Sequence, residues 1–233
     1  MTSQSRTDEL GRAFAGSQLQ VQIYVARRQA ELSTSILDAL SRSGAAFQIV
    51  QWVAPLERSG FAEPIDAAFL DALDLGHLRF QLEAFWPRGG PHWDALARLE
   101  PGRGVLLVEG KSYPDEVLGP GCQATEPART RIVEALAETR RWFGATADAD
   151  WLGPLYQFAN RLAHVRFLRE AGYAAWLANL CFIEDPRTPT TEAEWRETLP
   201  ALKRQLGFTA GNVPHTVDVF LPARIRSELI GAT

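Results

Sequence analysis

Asp94, Glu109 and Lys111 lie in one stretch, GPHWDALARLEPGRGVLLVEGKSY, residues 90–113. Two carboxylates beside an ammonium suit one kind of chemistry. Like charges cannot both stay ionised cheaply in one site, so the acids call for a cation. Hard oxygen ligands favour Mg²⁺ or Mn²⁺, and a cation held by one or two carboxylates takes substrate phosphate as a further partner. The lysine stands out because the chain carries 22 Arg against 2 Lys. A guanidinium stays protonated, whereas an ammonium responds to its surroundings, which is a reason for lysine at a phosphate-handling position.

Strand parity brings these residues together. Alternate side chains of a strand share a face, so Glu109 and Lys111 lie side by side. A two-residue turn at Gly102-Arg103 sets Asp94 opposite Lys111, and a four-residue turn sets it opposite Glu109. Either register clusters all three on one face. The competing reading is a surface hairpin with a cross-strand ion pair of little energetic worth. Against it, Glu109 follows four apolar residues, Val105 to Val108, and so ends a strand expected to be buried on both faces.

The elements around this hairpin follow from periodicity. LQVQIYVA alternates and predicts a strand, RRQAELSTSILDALSRSG a helix ended by Gly44, and AAFQIVQWVAPL a strand, giving β-α-β over the first 56 residues. A short helix is expected from about Pro64 to Leu73. HLRFQLEAFW alternates and, with WDALARL and VLLVEGKSY, predicts a three-stranded meander. ARTRIVEALAETRRWFG and WLGPLYQFANRLAHVRFLREAG read as helices, YAAWLANLCFIE as a buried strand, TPTTEAEWRETLPALKRQLG as a helix limited or kinked by Pro200, and TVDVFLPA as a last strand.

Asp94, then Glu109-Gly110-Lys111 across a hairpin, with Pro91 three residues before the first acid, resembles the PD-(D/E)xK phosphodiesterase superfamily, the restriction-endonuclease-like nucleases. The resemblance spans about residues 64 to 184. It implies an α/β fold with an αβββαβ core, a mixed central sheet flanked by helices, here with an N-terminal β-α-β elaboration. The expected organisation is a flexible tail over 1–17 and one domain over 18–233, in which 18–60 is the elaboration, 61–185 the core and 186–233 a C-terminal helix and strand. The resemblance also implies site roles. Asp94 and Glu109 would hold Mg (or Mn), and Lys111 would position water or phosphate. Gln157 would support the site from the helix after the hairpin. Glu83 would supply a further acid, with Glu63 and Asp66 as rivals. Arg161, one turn from Gln157, and His92 are candidates for substrate binding.

Composition adds limits. Hydrophobic residues are 46%, charged residues 22% and net charge −4, the profile of a globular chain without general attraction for polyanions. Nucleic acid would need a local basic patch, for which Arg129, Arg131, Arg140, Arg141, Arg161, Arg166 and Arg169 are candidates. Trp52, Phe85, Trp86 and Trp93 are read as core rather than base-stacking residues. Cys122 and Cys181 fit no metal or redox spacing and are read as reduced packing residues. The four histidines have no metal spacing, and there is no phosphate-binding glycine loop or esterase-type Gly-x-Ser-x-Gly. No segment reads as a secretory leader or a membrane span, so a cytoplasmic protein without membrane contact is expected. The expected function is a Mg-dependent nuclease acting on nucleic acid, with DNA as the expected partner. The alternative is an inactive nuclease-fold protein that binds nucleic acid or another protein. A homodimer through the N-terminal segment is left open.

Overall fold

The computed structural model describes residues 6–231. Two helices open the chain, α1 (Gly16–Arg27) and α2 (Gln29–Arg42), followed by strand β1 (Ile49–Ala54). Short helices α3 (Ala68–Ala72) and α4 (Arg79–Phe85) lead to the hairpin β2 (Ala95–Glu100) and β3 (Gly104–Lys111). Then come α5 (Ala128–Trp142), α6 (Tyr156–Glu170), β4 (Ala174–Ile183), α7 (Glu192–Gln205), β5 (Thr216–Pro222) and α8 (Ser227–Ile230).

The five strands form one open mixed sheet in sequence order, β1-β2-β3-β4-β5. β1, β2 and β3 are an antiparallel meander, while β3, β4 and β5 run parallel through helical crossovers. Helices cover both faces, because alternate strand residues are apolar on each. Leu96, Val105, Leu107, Leu177 and Cys181 face α3 to α7 in the larger core. Ala97, Leu106, Val108, Leu180 and Val219 face α1 and α2 through Val21, Tyr24, Leu32 and Ile36. β3 is buried from Gly104 to Gly110, as its continuous apolar start predicts.

Two predicted strands are helices. LQVQIYVA lies in α1, so the N-terminal segment is α-α-β, and its strand joins the sheet as β1 rather than standing apart. Leu19 to Val25 are all buried, Gln20 and Gln22 included. The Gln20 side chain donates to the Arg224 carbonyl and that of Gln22 to the Gly11 carbonyl. The apparent apolar-polar alternation is thus a helix buried all round with its amides satisfied. HLRFQLEAFW lies mostly in α4, where Leu78, Leu82 and Trp86 recur at helical spacing and are buried while Phe80 is exposed. The meander is real, but its first strand is β1.

The expected flexible tail falls partly on residues 1–5, outside the described residues. Residues 6–17 are tied down: Asp8 binds Arg12 and Arg226, and the amide of fully buried Ala13 donates to Gln22. The late helix keeps Pro200 inside it and begins with a capping box between Thr191 and Glu194. Both cysteines are free and buried. Among the described residues no helix is long and apolar enough to cross a membrane.

Candidate active site

The hairpin turn has four residues. Leu99 pairs with Gly104 and Ala95 with Val108, so Asp94, just before β2, falls opposite Glu109. Gly110 lies on the other face, and its backbone N–H donates to Asp94 Oδ2 at 2.7 Å. No alanine fits there, since a Cβ on Gly110 would meet Val21 Cγ2 of α1 at 2.7 Å. The middle residue of Glu-Gly-Lys is therefore set by α1 pressing on the back of β3.

Glu109 is gripped on both oxygens. Lys111 Nζ lies 2.8 Å from Oε1, and Arg161 reaches Oε2 from α6 with Nη2 at 2.8 Å and Nε at 2.9 Å. Arg161 also donates to Asn160 Oδ1 and to the His92 carbonyl, 2.9 and 3.1 Å. Lys111 Nζ donates to Gln157 Oε1, at 3.4 Å. β2, β3 and α6 thus bring together Asp94, Glu109, Lys111, Gln157 and Arg161, as strand parity and helix spacing predict. Asp94, Lys111, Gln157 and Arg161 border an open cleft of about 600 Å³, with Gln18, Glu63, His92 and Glu116 on its other walls, while Glu109 lines the apolar pocket between the sheet, α6 and α7.

The charges diverge. Burial raises the Asp94 pKa well above the usual carboxylate range, and Glu109 and Glu63 push it further. Burial acts on Glu109 in the same sense, but Arg161 and Lys111 outweigh it and hold its pKa low. Burial works against the Lys111 ammonium, yet Glu109 and then Asp94 override it and its pKa is raised. Lys111 thus stands as a positive charge held by Glu109. Glu63 is raised by burial while Gln18 donates to it at 2.9 Å.

Other expectations shift. Glu83 is exposed on α4, its carbonyl accepting from Arg131, and takes no part in the cleft. Glu63 stands in the place expected of it, because the Trp93 amide donates to the Pro64 carbonyl and draws that loop beside Asp94. Asp66 instead accepts the amides of Gly89 and Gly90 and fixes the rim loop. Arg161 is 7% exposed and pins Glu109, so it is not free to hold substrate. His92 is exposed at the cleft. Trp52, Trp86 and Trp93 are buried and Phe85 half-buried, as core residues should be.

Of the arginines of α5 and α6, Arg141 alone is exposed without a side-chain partner among the described residues, so they form no free patch. Arg166 lies between Glu138 and Glu170, while Arg129, Arg131, Arg140 and Arg169 turn to backbone carbonyls. Glu116, not expected, accepts from the Ser112 amide and from Ser17 Oγ; the turn signal Tyr113-Pro114-Asp115 was its only sequence mark.

The polar row continues across the sheet. Glu109 neighbours Asn179 on β4, and Asn179 neighbours Asp218 on β5. Asn179 Nδ2 donates to Asp218 Oδ1 at 2.9 Å, and buried Lys203 of α7 pairs with the same carboxylate. The chain's two lysines answer the two ends of one row.

Among the described residues no group of three or more His, Cys, Asp and Glu side chains forms a ready-made metal cage. The donor chemistry nevertheless fits a hard divalent cation at the cleft. Asp94 has one oxygen bonded to Gly110 and no protein donor assigned to the other, and its ionised form lacks a partner. Glu63, Asp94 and Glu109 face the two cations Lys111 and Arg161, so the group has one negative charge to spare when all are ionised. Comparison of the chain with protein-family models, curated proteins and solved structures finds no match in any of the three.

Proposed function

We propose that the chain is a metal-dependent phosphodiesterase, a nuclease that hydrolyses phosphodiester bonds in nucleic acid, with DNA the expected substrate. The observation that carries this reading is the convergence of Asp94, Lys111 and Gln157 on one cleft, with Glu109 ion-paired to Lys111. The finer fold assignment belongs here too. A helix, the β1-β2-β3 meander, a helix and β4 follow in the order that the resemblance to restriction-endonuclease-like nucleases implies, which supports that core beginning at α1–α2 rather than near residue 64.

Asp94 and Glu109 would hold Mg²⁺ or Mn²⁺, with Glu63 beside them. The ion supplies Lewis-acid chemistry, lowering the pKa of a bound water and stabilising charge on a pentavalent phosphorus. Lys111, kept protonated and aimed by Glu109 and Gln157, binds a non-bridging phosphate oxygen and stabilises the charge that grows on it. Arg161 acts through Glu109, holding that carboxylate ionised and fixed in place. The Gly110 amide orients Asp94.

The test is cleavage of labelled DNA in Mg²⁺ by Asp94→Ala and Lys111→Ala, with thermal unfolding as the control for fold. Loss of cleavage by both in a folded protein is expected; full activity in either removes the mechanism. One observation favours the second reading, a nuclease-fold binding protein without catalysis: both Glu109 oxygens already hold cations. Absence of Mn²⁺ binding in calorimetry would favour it.

A further inference from the structure

We infer that the substrate is a single nucleic-acid strand laid through the cleft, its phosphates on either side of the reacting one met by Arg6 and Arg88. This rests on the phosphodiesterase reading. The cleft beside Asp94 and Lys111 does not end at Gln157. A second groove, of about 360 Å³, begins there and runs between the Arg88-Gly89 loop and Gly119 to Gly121, ending near Gln123. Gln157 lines both, so the two adjoin, with Asp94 and Glu63 on the first.

The walls of the second groove suit a backbone rather than a particular base. Gly119 lies against the Gln157 side chain, which the two voids share. The rim is stiff: Asp66 Oδ1 accepts from Gly89 N at 3.0 Å and from Gly90 N at 2.9 Å. That loop presents Arg88, which is exposed and has no side-chain partner among the described residues. Arg6 stands on the wall of the first cleft and is likewise unpartnered among the described residues. Most arginines of the chain are engaged by a carboxylate or a carbonyl; of those without a side-chain partner among the described residues, Arg6 lines the first cleft and Arg88 the second groove.

The count of free cations sets the strandedness. A duplex-binding surface neutralises about 6–10 phosphates. Here α5 and α6 offer no such surface, because their arginines other than Arg141 are turned to internal partners, and Arg141 lines neither groove. Arg6, Lys111 and Arg88 suffice for about three phosphates of one strand.

The test is fluorescence anisotropy with a labelled short oligothymidylate and its duplex form, with Ca²⁺ replacing Mg²⁺, from about 50 to 200 mM salt. The full chain should bind the single strand with a log–log salt slope near −2, about 0.7 per phosphate. Arg6→Ala and Arg88→Ala should each flatten it by about 0.7 and weaken binding about five-fold at 0.1 M salt, while thermal unfolding is unchanged. Unaltered slopes in both variants, or tighter binding of duplex with a slope of about −5 or steeper, overturn the inference. If the protein hydrolyses a simple phosphodiester yet binds oligonucleotides independently of Arg6 and Arg88, the strand track falls and the phosphodiesterase reading stands. If it neither cleaves nor binds any of these probes, both fall.

Discussion

Asp94 and Glu109 stand opposite each other, yet their protons are held in opposite ways. Glu109 has two cations and a lowered pKa; Asp94 has one amide and a raised one. The consequences for stability have opposite signs. The folded Asp94 keeps a proton that the unfolded chain has released, so its contribution falls as pH rises from the ordinary carboxylate range through its raised value. Glu109 contributes stability above the ordinary range, which is lost as pH falls through its lowered value. Asp94→Asn keeps the acceptor for Gly110 and removes the unmet charge. It should stabilise the metal-free protein at pH 7 by about 1 kcal/mol, a Tm rise of roughly 2–4 °C, while abolishing cleavage. A lower Tm would mean that Asp94 is already balanced. On the proposed function, Mg²⁺ affinity should rise with pH through the raised Asp94 pKa, because the ion must displace its proton, measured as a pH profile of binding by calorimetry. A profile flat from pH 5 upward, at about one unit above an ordinary carboxylate pKa, would contradict this role.

Among the elements, β3 and α6 hold the site rigid. Arg161→Met would leave Glu109 buried with only Lys111, and losing one partner of a buried pair costs about 3–5 kcal/mol. Urea denaturation should show that loss, and a change below about 1 kcal/mol would mean that Glu109 is better solvated than its burial implies. Gly110→Ala should cost about 1–3 kcal/mol through the clash with Val21, with cleavage lost as α1 or β3 shifts. Much of this level could be read beforehand. Strand parity placed Asp94, Glu109 and Lys111 on one face for either even-length turn, because a period of two survives uncertainty in the loop. Helix spacing placed Gln157 and Arg161 together. What parity could not give was their division of labour: both were known to point one way, but only packing shows that Arg161 reaches Glu109 and Gln157 reaches Lys111. Glu83 was misplaced because Phe80, exposed on α4, imitates strand alternation.

For the molecule as a whole, the sheet is covered on both sides, and the candidate site sits where strands from the meander meet strands from the parallel half. The mistaken strand at residues 19–26 hid this, because a helix buried all round has no apolar stripe to reveal its period. Residues far apart in sequence close the N-terminal layer: Tyr24 Oη donates to the Pro222 carbonyl, and Arg224 and Arg226 reach Glu31 and Asp8. On the other side Trp195 of α7 is fully buried, its indole N–H donating to the Phe182 carbonyl at 3.0 Å. Trp195→Ala should cost about 3–5 kcal/mol, seen as a lower urea midpoint. A loss below about 1 kcal/mol would show that α7 repacks without it.

The hydrogen bond from Gly110 to Asp94 has a spectroscopic consequence. One backbone amide, in the interior of the sheet, is wired to the carboxylate proposed to hold the cation. Its proton and nitrogen resonances should move with the ionisation of Asp94 and again when the ion arrives. A nuclear magnetic resonance titration of that single glycine would read the charge state of the site without substrate, turnover or mutation.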